Sequence, residues 1–212
     1  MNLLTKGIFF VAFGASSYGM LATFVKLAYK ENYSTAEVTI SQFALGIFIV
    51  LLLNIFSKKT TAILSKVDIK KLMLAGTTMG FTSVMYYLCV KYLNASIAVV
   101  LLMQSVWIGV LIESLQTKKI PSLLKIGAVI LVLLGTALAT NIFSSDLHFN
   151  LKGFVFGFLS AISFSLTLFS TNSVATHLPP FKRTLYMLFG GAIIVLLFAL
   201  VTQILPTYAN IE

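Results

Sequence analysis

Apolar residues gather into seven long stretches separated by short polar breaks. The stretches run approximately Gly7 to Ala28, Ala36 to Phe56, Lys71 to Tyr92, Ala95 to Gln116, Ser122 to Thr140, Gly153 to Ala175 and Phe181 to Gln203. A hydrocarbon layer about 30 Å thick is crossed by roughly 20 helical residues rising 1.5 Å each, so every stretch is long enough to span a bilayer. The runs are continuous, contain glycine and lack the every-second-residue alternation of barrel strands, which predicts helices. The breaks are Tyr29 to Thr35, Ser57 to Lys70, Leu93-Asn94, Thr117 to Pro121, Asn141 to Lys152 and Thr176 to Pro180, none long enough for a soluble domain. Lys6 ahead of the first run has the look of a cleaved signal segment. That run is too long for a signal's apolar core, and six more follow it.

Composition points the same way. Of 212 residues, 58% are hydrophobic and 10% charged, with a mean hydropathy of +0.99; soluble domains carry about 45–50% apolar residues. One core of this size cannot hide so much apolar surface, so the solvent must itself be apolar. Disorder is excluded because it requires low hydrophobicity. The single cysteine, Cys89, permits no intramolecular disulfide and no thiolate metal cluster, and is expected as a small buried apolar residue.

The net charge of +9 would suit nucleic acid, but its distribution follows the spans. With the N-terminus inside, Lys6, Lys58, Lys59, Lys66, Lys70, Lys71, Lys118, Lys119, Lys125, Lys182 and Arg183 fall on the cytoplasmic side. Lys26, Lys30, Lys91 and Lys152 fall outside. Lysine and arginine concentrate in cytoplasmic loops, so eleven against four predicts an N-terminus in the cytoplasm, a multi-pass protein of the cytoplasmic membrane, and the lipid bilayer, not nucleic acid, as partner.

Sliding the chain by about 146 residues sets the first two spans on the sixth and seventh: Gly7 meets Gly153, Phe10 meets Phe156, Ala15 meets Ala161, Ser17 meets Ser163 and Phe43 meets Phe189. A repeat that restarts after five spans, an odd number, inserts its second copy upside down. Inverted repeats provide two related conformations facing opposite sides, the basis of alternating access.

The segment Tyr86-Tyr87-Leu88-Cys89-Val90-Lys91-Tyr92-Leu93-Asn94-Ala95-Ser96-Ile97-Ala98-Val99-Val100-Leu101-Leu102, an aromatic pair followed by a turn and a small-residue helix start, resembles the join of spans three and four in EamA-type permeases of the drug/metabolite transporter superfamily. Glu113 resembles an acidic position at the end of that family's fourth span. Pro121 with the Gly127 to Gly135 stretch resembles its fifth. The resemblance implies an all-α polytopic membrane protein built from inverted five-helix halves. Residues 1–140 would form the first repeat and 141–212 the start of the second, truncated after two helices, giving about seven transmembrane helices. The proline that many relatives carry in span four has no counterpart in Met103-Gln104-Ser105-Val106-Trp107, which leaves a kink there without its usual cause. A ten-span relative would also continue past Glu212, so the chain is expected to be either a truncated product or an incomplete carrier that borrows the missing helices.

Polar side chains near the midplane are costly unless they face protein or water, which makes them candidates for binding a substrate. Span one offers Ser16, Ser17 and Tyr18. Span three offers Thr78, Thr82 and Tyr86, spaced by four on one face. Gln104 and Trp107 share a face of span four, and Ser160, Ser163, Thr167, Ser170 and Thr171 form a stripe on span six. The substrate-binding candidates are Ser17, Tyr18, Thr78, Tyr86, Gln104, Trp107, Ser163 and Thr167. The plainer role of each hydroxyl is a bond to its own i−4 carbonyl or a neighbouring helix. Span five has nothing polar between Lys125 and Thr136 and is expected at the periphery. Gly76 with Gly80, Gly153 with Gly157, and Ala15 with Gly19 are close-packing pairs.

Glu113 lies eight residues from Ser105, roughly 12 Å along a helix, against a half-thickness of about 15 Å. It is interfacial, and suits a gate or a structural partner for Lys118 or Lys119 better than a midplane proton carrier. Span one holds no carboxylate, so exchange of cations for protons, as in small multidrug pumps, is not supported. His148 and His177 stand in loops, with no catalytic group, no metal motif and no phosphate loop, so neither enzyme chemistry, metal nor cofactor is expected. The expected function is transport of a small-molecule substrate, neutral or zwitterionic such as an amino acid, by alternating access. The alternative is a non-transporting scaffold, or a fragment completed by a homodimer partner or another chain.

Overall fold

The computed structural model describes residues 3–56, 64–139 and 150–204. Within them the order is α1 (Leu3–Gly19), α2 (Leu21–Lys30), α3 (Thr35–Phe56), α4 (Lys66–Tyr92), α5 (Ala95–Met103), α6 (Ser105–Thr117), α7 (Leu123–Ala139), α8 (Leu151–Ser173) and α9 (Pro180–Ala199), the last running into a π-helical turn, Leu200–Ile204. Helices α1 and α2 together form one crossing, as do α5 and α6. Six crossings are long and apolar enough to span a bilayer: Gly7–Lys30, Thr35–Phe56, Lys66–Tyr92, Ala95–Thr117, Leu151–Ser173 and Pro180–Gln203. The 17 residues of α7 stand at the short end of the spanning range. The protein is an all-helical polytopic membrane protein, and His148 lies outside the described residues.

Local chemistry sets the helix ends. The structure starts the third crossing at Lys66, five residues ahead of the expected Lys71, because Ser65 and Asp68 close a capping box. The Asp68 amide donates to Ser65 Oγ at 3.0 Å and the Ser65 amide to Asp68 Oδ2 at 3.2 Å. Asn150 caps α8 by accepting from the Gly153 amide at 3.2 Å. At its far end, Arg183 of α9 donates Nε to the Val174 carbonyl at 3.1 Å and Nη2 to the Thr171 carbonyl, satisfying groups a helix terminus leaves open.

Helix α4 is the centre of the bundle and packs most extensively against α8 and α9. It contributes to all three buried clusters: Tyr86, Tyr87, Cys89 and Val90 with α2 and α5; Val84 with Phe43, Leu188 and Val195; and Leu72 and Ala75 with Leu178 and Met187. Between helices in lipid there is no hydrophobic driving force, so close approach of small residues carries the packing. A Cβ on Gly76 would land on the Met187 carbonyl, one on Gly80 on the Gly191 carbonyl, and one on Gly190 on the Met73 carbonyl. The α4–α9 interface is therefore backbone on backbone. Gly153 and Gly157 also face neighbours: a methyl added at the first would meet the Leu93 and Tyr92 side chains, and one at the second those of Leu101 and Cys89. The expected Ala15–Gly19 pair does not pack this way, since Gly19 has nothing within 4 Å of its Cβ position.

The outer surface is apolar. Phe9, Phe10, Phe13 and Ile8 of α1 and Leu131, Leu134 and Leu138 of α7 are exposed, as lipid-facing residues are.

Candidate functional site

A cleft of about 430 Å³ opens between α1, α4, α5 and α7. Small residues make the room: Ala15 and Gly19 on α1, Gly135 on α7. Val99, Leu102, Met103 and Val132 supply apolar walls, and Tyr18, Tyr86 and Thr136 supply hydroxyls. Tyr18 is fixed by stacking on Phe164 of α8, with ring centroids 5.7 Å apart and planes at 20°. Tyr86 is 1% exposed and tilted against Tyr87 at 6.1 Å. Neither the Tyr18 nor the Tyr86 hydroxyl has a hydrogen-bond partner among the described residues. Buried phenols almost always find one, so these two are open to whatever occupies the cleft. No charged residue lines it.

One wall of the cleft ends at a discontinuity in the fourth crossing. The Gln104 amide bonds to the Leu101 carbonyl at 3.1 Å, three residues back, which separates α5 from α6. The Val100 carbonyl is taken by Gln104 Nε2 at 3.1 Å, and Gln104 Oε1 accepts from Trp107 Nε1 at 2.9 Å. Ser165 of α8 donates to the Ser105 carbonyl at 2.9 Å. The crossing is thus interrupted without proline: an amide side chain and a neighbouring hydroxyl accommodate the irregular carbonyls. The first crossing is interrupted at Met20, directly after Gly19, where the Thr23 amide bonds to the Met20 carbonyl at 3.1 Å.

On an adjoining face of α4, hydroxyls join α4 to α8. Thr78 and Thr167 are linked Oγ1 to Oγ1 at 2.8 Å, and Ser163 Oγ donates to the Thr78 carbonyl at 2.8 Å. Thr78 and Ser163 border a second, shallower cleft of about 300 Å³.

The sequence model of the EamA-like transporter family matches residues 5–141. The chain belongs to the EamA-like transporter family. No curated protein matches it. Family membership makes it a multi-pass membrane transporter of small molecules, from a family of non-enzymatic permeases. Among the described residues, no three His, Cys, Asp or Glu side chains come together as a metal site would require.

This EamA-like chain does not assemble all the residues singled out above into one site. Tyr18 and Tyr86 share the cleft between α1, α4, α5 and α7. Thr78, Ser163 and Thr167 form the α4–α8 link instead. The reason lies in the spacing: eight residues separate Thr78 from Tyr86, and at 3.6 per turn that is about 80° around the helix. Gln104 and Trp107 are each other's partners at the α5–α6 break. Ser17 is exposed and donates to the Phe13 carbonyl at 3.0 Å, as Ser16 does to Ala12 at 2.9 Å. Glu113 pairs with Lys125 of α7 at 2.5 Å, not with Lys118 or Lys119, because Lys118 adopts a left-handed conformation (φ 52°) and the chain then turns so that α7 runs back beside α6. Three features went unnoticed in the sequence. Gln42 of α3 holds its Oε1 buried without a partner among the described residues; an amide within an apolar span was the available signal. Gly190-Gly191 completes the α4–α9 interface. Lys26, Lys30 and Lys91, assigned from the sequence only to the outer side, border one cleft.

Proposed function

We propose that the chain is a permease for neutral or zwitterionic metabolites, amino acids among them, and that the cleft between α1, α4, α5 and α7 binds the substrate. The observation that carries this reading is the pair of unpartnered hydroxyls, Tyr18 and Tyr86, in a cleft with apolar walls and no fixed charge. Sites with few well-placed polar groups in an apolar cavity recognise small amphipathic molecules. A strongly charged ligand would lose hydration there with no countercharge to replace it. Tyr18 and Tyr86 would hydrogen-bond the substrate, and the Gln104–Trp107 pair would act as a positioning element by holding the α5–α6 break.

The proposed mechanism is alternating access. Interruptions at Met20 and Gln104 divide the two crossings that flank the cleft, and such discontinuous helices allow the halves to tilt independently. The lysine asymmetry supports an N-terminus in the cytoplasm.

The test is uptake of a panel of radiolabelled neutral amino acids into proteoliposomes. Saturable uptake of at least one is expected. Tyr86→Phe and Tyr18→Phe each remove one hydrogen bond, worth about 0.5–1.5 kcal/mol, and should raise KM roughly 2- to 10-fold. Uptake with unchanged KM in both variants would remove the tyrosines from the site.

A further inference from the structure

A separate cleft of about 500 Å³ lies where α2 ends, α3 begins and α4 ends, and it shares no lining residue with the tyrosine cleft. Three lysines line it: Lys26 and Lys30, one turn apart on the same face of α2, and Lys91 in the last turn of α4. Their convergence follows from how α2 docks. Ala22 and Val25 are buried against Tyr86, Tyr87 and Val90, and the Tyr29 hydroxyl donates to the Tyr87 carbonyl at 2.9 Å, which brings the end of α2 beside the end of α4.

None of the three lysines has an ion-pair partner among the described residues. Among the described residues the carboxylates at this end, Glu31 and Glu37, do not line the cleft, and Glu37 is already occupied, accepting from the Ser34 amide and hydroxyl at 2.7 Å each. A lysine near a helix C-terminus is individually favourable. That effect acts on each helix end separately and does not require three lysines around one cavity, where they repel one another. They are also three of the four basic residues that the charge distribution assigns to the lysine-poor side.

We propose that this cleft binds a phosphate group, carried either by an anionic phospholipid headgroup or by a soluble phosphate. A tetrahedral anion offers several oxygens to three separate ammonium donors, whereas one carboxylate offers two oxygens, and lysine is a common point-charge ligand for phosphate. The neutral polar groups at the rim, Asn32, Tyr33 and Ser34, complete a surface suited to a hydrated headgroup.

Lysine-acylation footprinting read by mass spectrometry tests this on the full chain in nanodiscs. The reference arm uses phosphatidylcholine alone. The second adds phosphatidylglycerol, and the third returns to phosphatidylcholine with millimolar inorganic phosphate. Acylation of Lys26, Lys30 and Lys91 should slow at least threefold in one or both of the added-anion arms, with Lys118 and Lys119 changing less. Protection by phosphatidylglycerol alone assigns a lipid headgroup, by inorganic phosphate alone a soluble ligand, and by both any accessible phosphate. Lys91→Gln should abolish the protection of Lys26 and Lys30, while Lys119→Gln should leave it intact. No protection in either arm, equal shielding of all five lysines, or protection that survives Lys91→Gln would each overturn the proposal.

Discussion

Replacing Gly76 or Gly190 by alanine should loosen the bundle at its centre. Each added methyl falls on a backbone carbonyl of the opposing helix: Met187 for Gly76, Met73 for Gly190. A side chain in the way could rotate. A carbonyl held in a helical ladder cannot, so the only relief is to move α4 and α9 apart, at the cost of the packing that clusters Leu72 and Ala75 of α4 with Met187 of α9. Overpacking a tight interface costs about 1–3 kcal/mol, and here lies at the upper end or beyond because both obstacles are main chain. Alanine returns up to about 1 kcal/mol through helix propensity, which leaves a net loss of about 2 kcal/mol or more. At about 2–4 °C per kcal/mol for a chain of this size, the midpoint should fall by at least 4–8 °C. Gly46→Ala is the matched control, since its methyl meets Leu188 at 3.8 Å, an ordinary contact. The assay is the thermal midpoint for loss of the monodisperse peak in detergent. One separation relieves both clashes, so the double variant should cost less than the sum of the singles. Melting of Gly76→Ala and Gly190→Ala at or above the wild-type temperature would refute the backbone-on-backbone reading.

Other consequences follow from the polar contacts. Gln104→Leu removes the partners of both the Val100 carbonyl and the Trp107 indole, so a loss of about 1–3 kcal/mol per orphaned group is expected; Trp107 is the sole tryptophan, and its emission should shift to the blue. A double-mutant cycle of Thr78→Val and Thr167→Val should give a coupling of about 0.6 kcal/mol, typical of hydrogen bonds between membrane helices, measured by reversible unfolding in mixed micelles. Glu113→Gln breaks a half-exposed pair and should cost under about 1 kcal/mol, with saturable uptake retained; loss of uptake would instead make Glu113 a gate. A membrane-impermeant amine reagent applied to intact cells should modify Lys152 and spare Lys66, and the opposite pattern would reverse the proposed orientation.

Much of the fold was legible because hydrocarbon imposes one simple requirement, some 20 apolar residues per crossing. That rule located the crossings, and where it erred, as at Lys66, a local cap had extended the helix into polar sequence. The interruptions were harder to see. Met20 and Gln104 are ordinary helix residues, and the Ser105 carbonyl beside the second break is met by Ser165, sixty positions away in the chain. The site was legible only in part for a related reason. Polar residues in an apolar span stand out, but whether a hydroxyl faces a cavity, its own backbone or another helix depends on rotation about the helix axis. Tyr18 and Tyr86 face a cleft, Ser17 turns back on Phe13, and Thr78 meets Thr167. Neighbours in sequence point Glu113 to Lys118 or Lys119, whereas α7 brings Lys125 back to it.

The natural thiol is fully enclosed in this conformation. Cys89 has none of its surface exposed, wedged among Tyr86, Tyr87, Val90 and Leu101. The wild-type sequence is therefore expected to serve as a background with no accessible cysteine, which a maleimide control on the unsubstituted protein checks. Single cysteines can be introduced along the lining of either cleft and their modification by maleimides followed without first deleting a core residue, so that a conformational cycle can be mapped with one substitution at a time and the core intact.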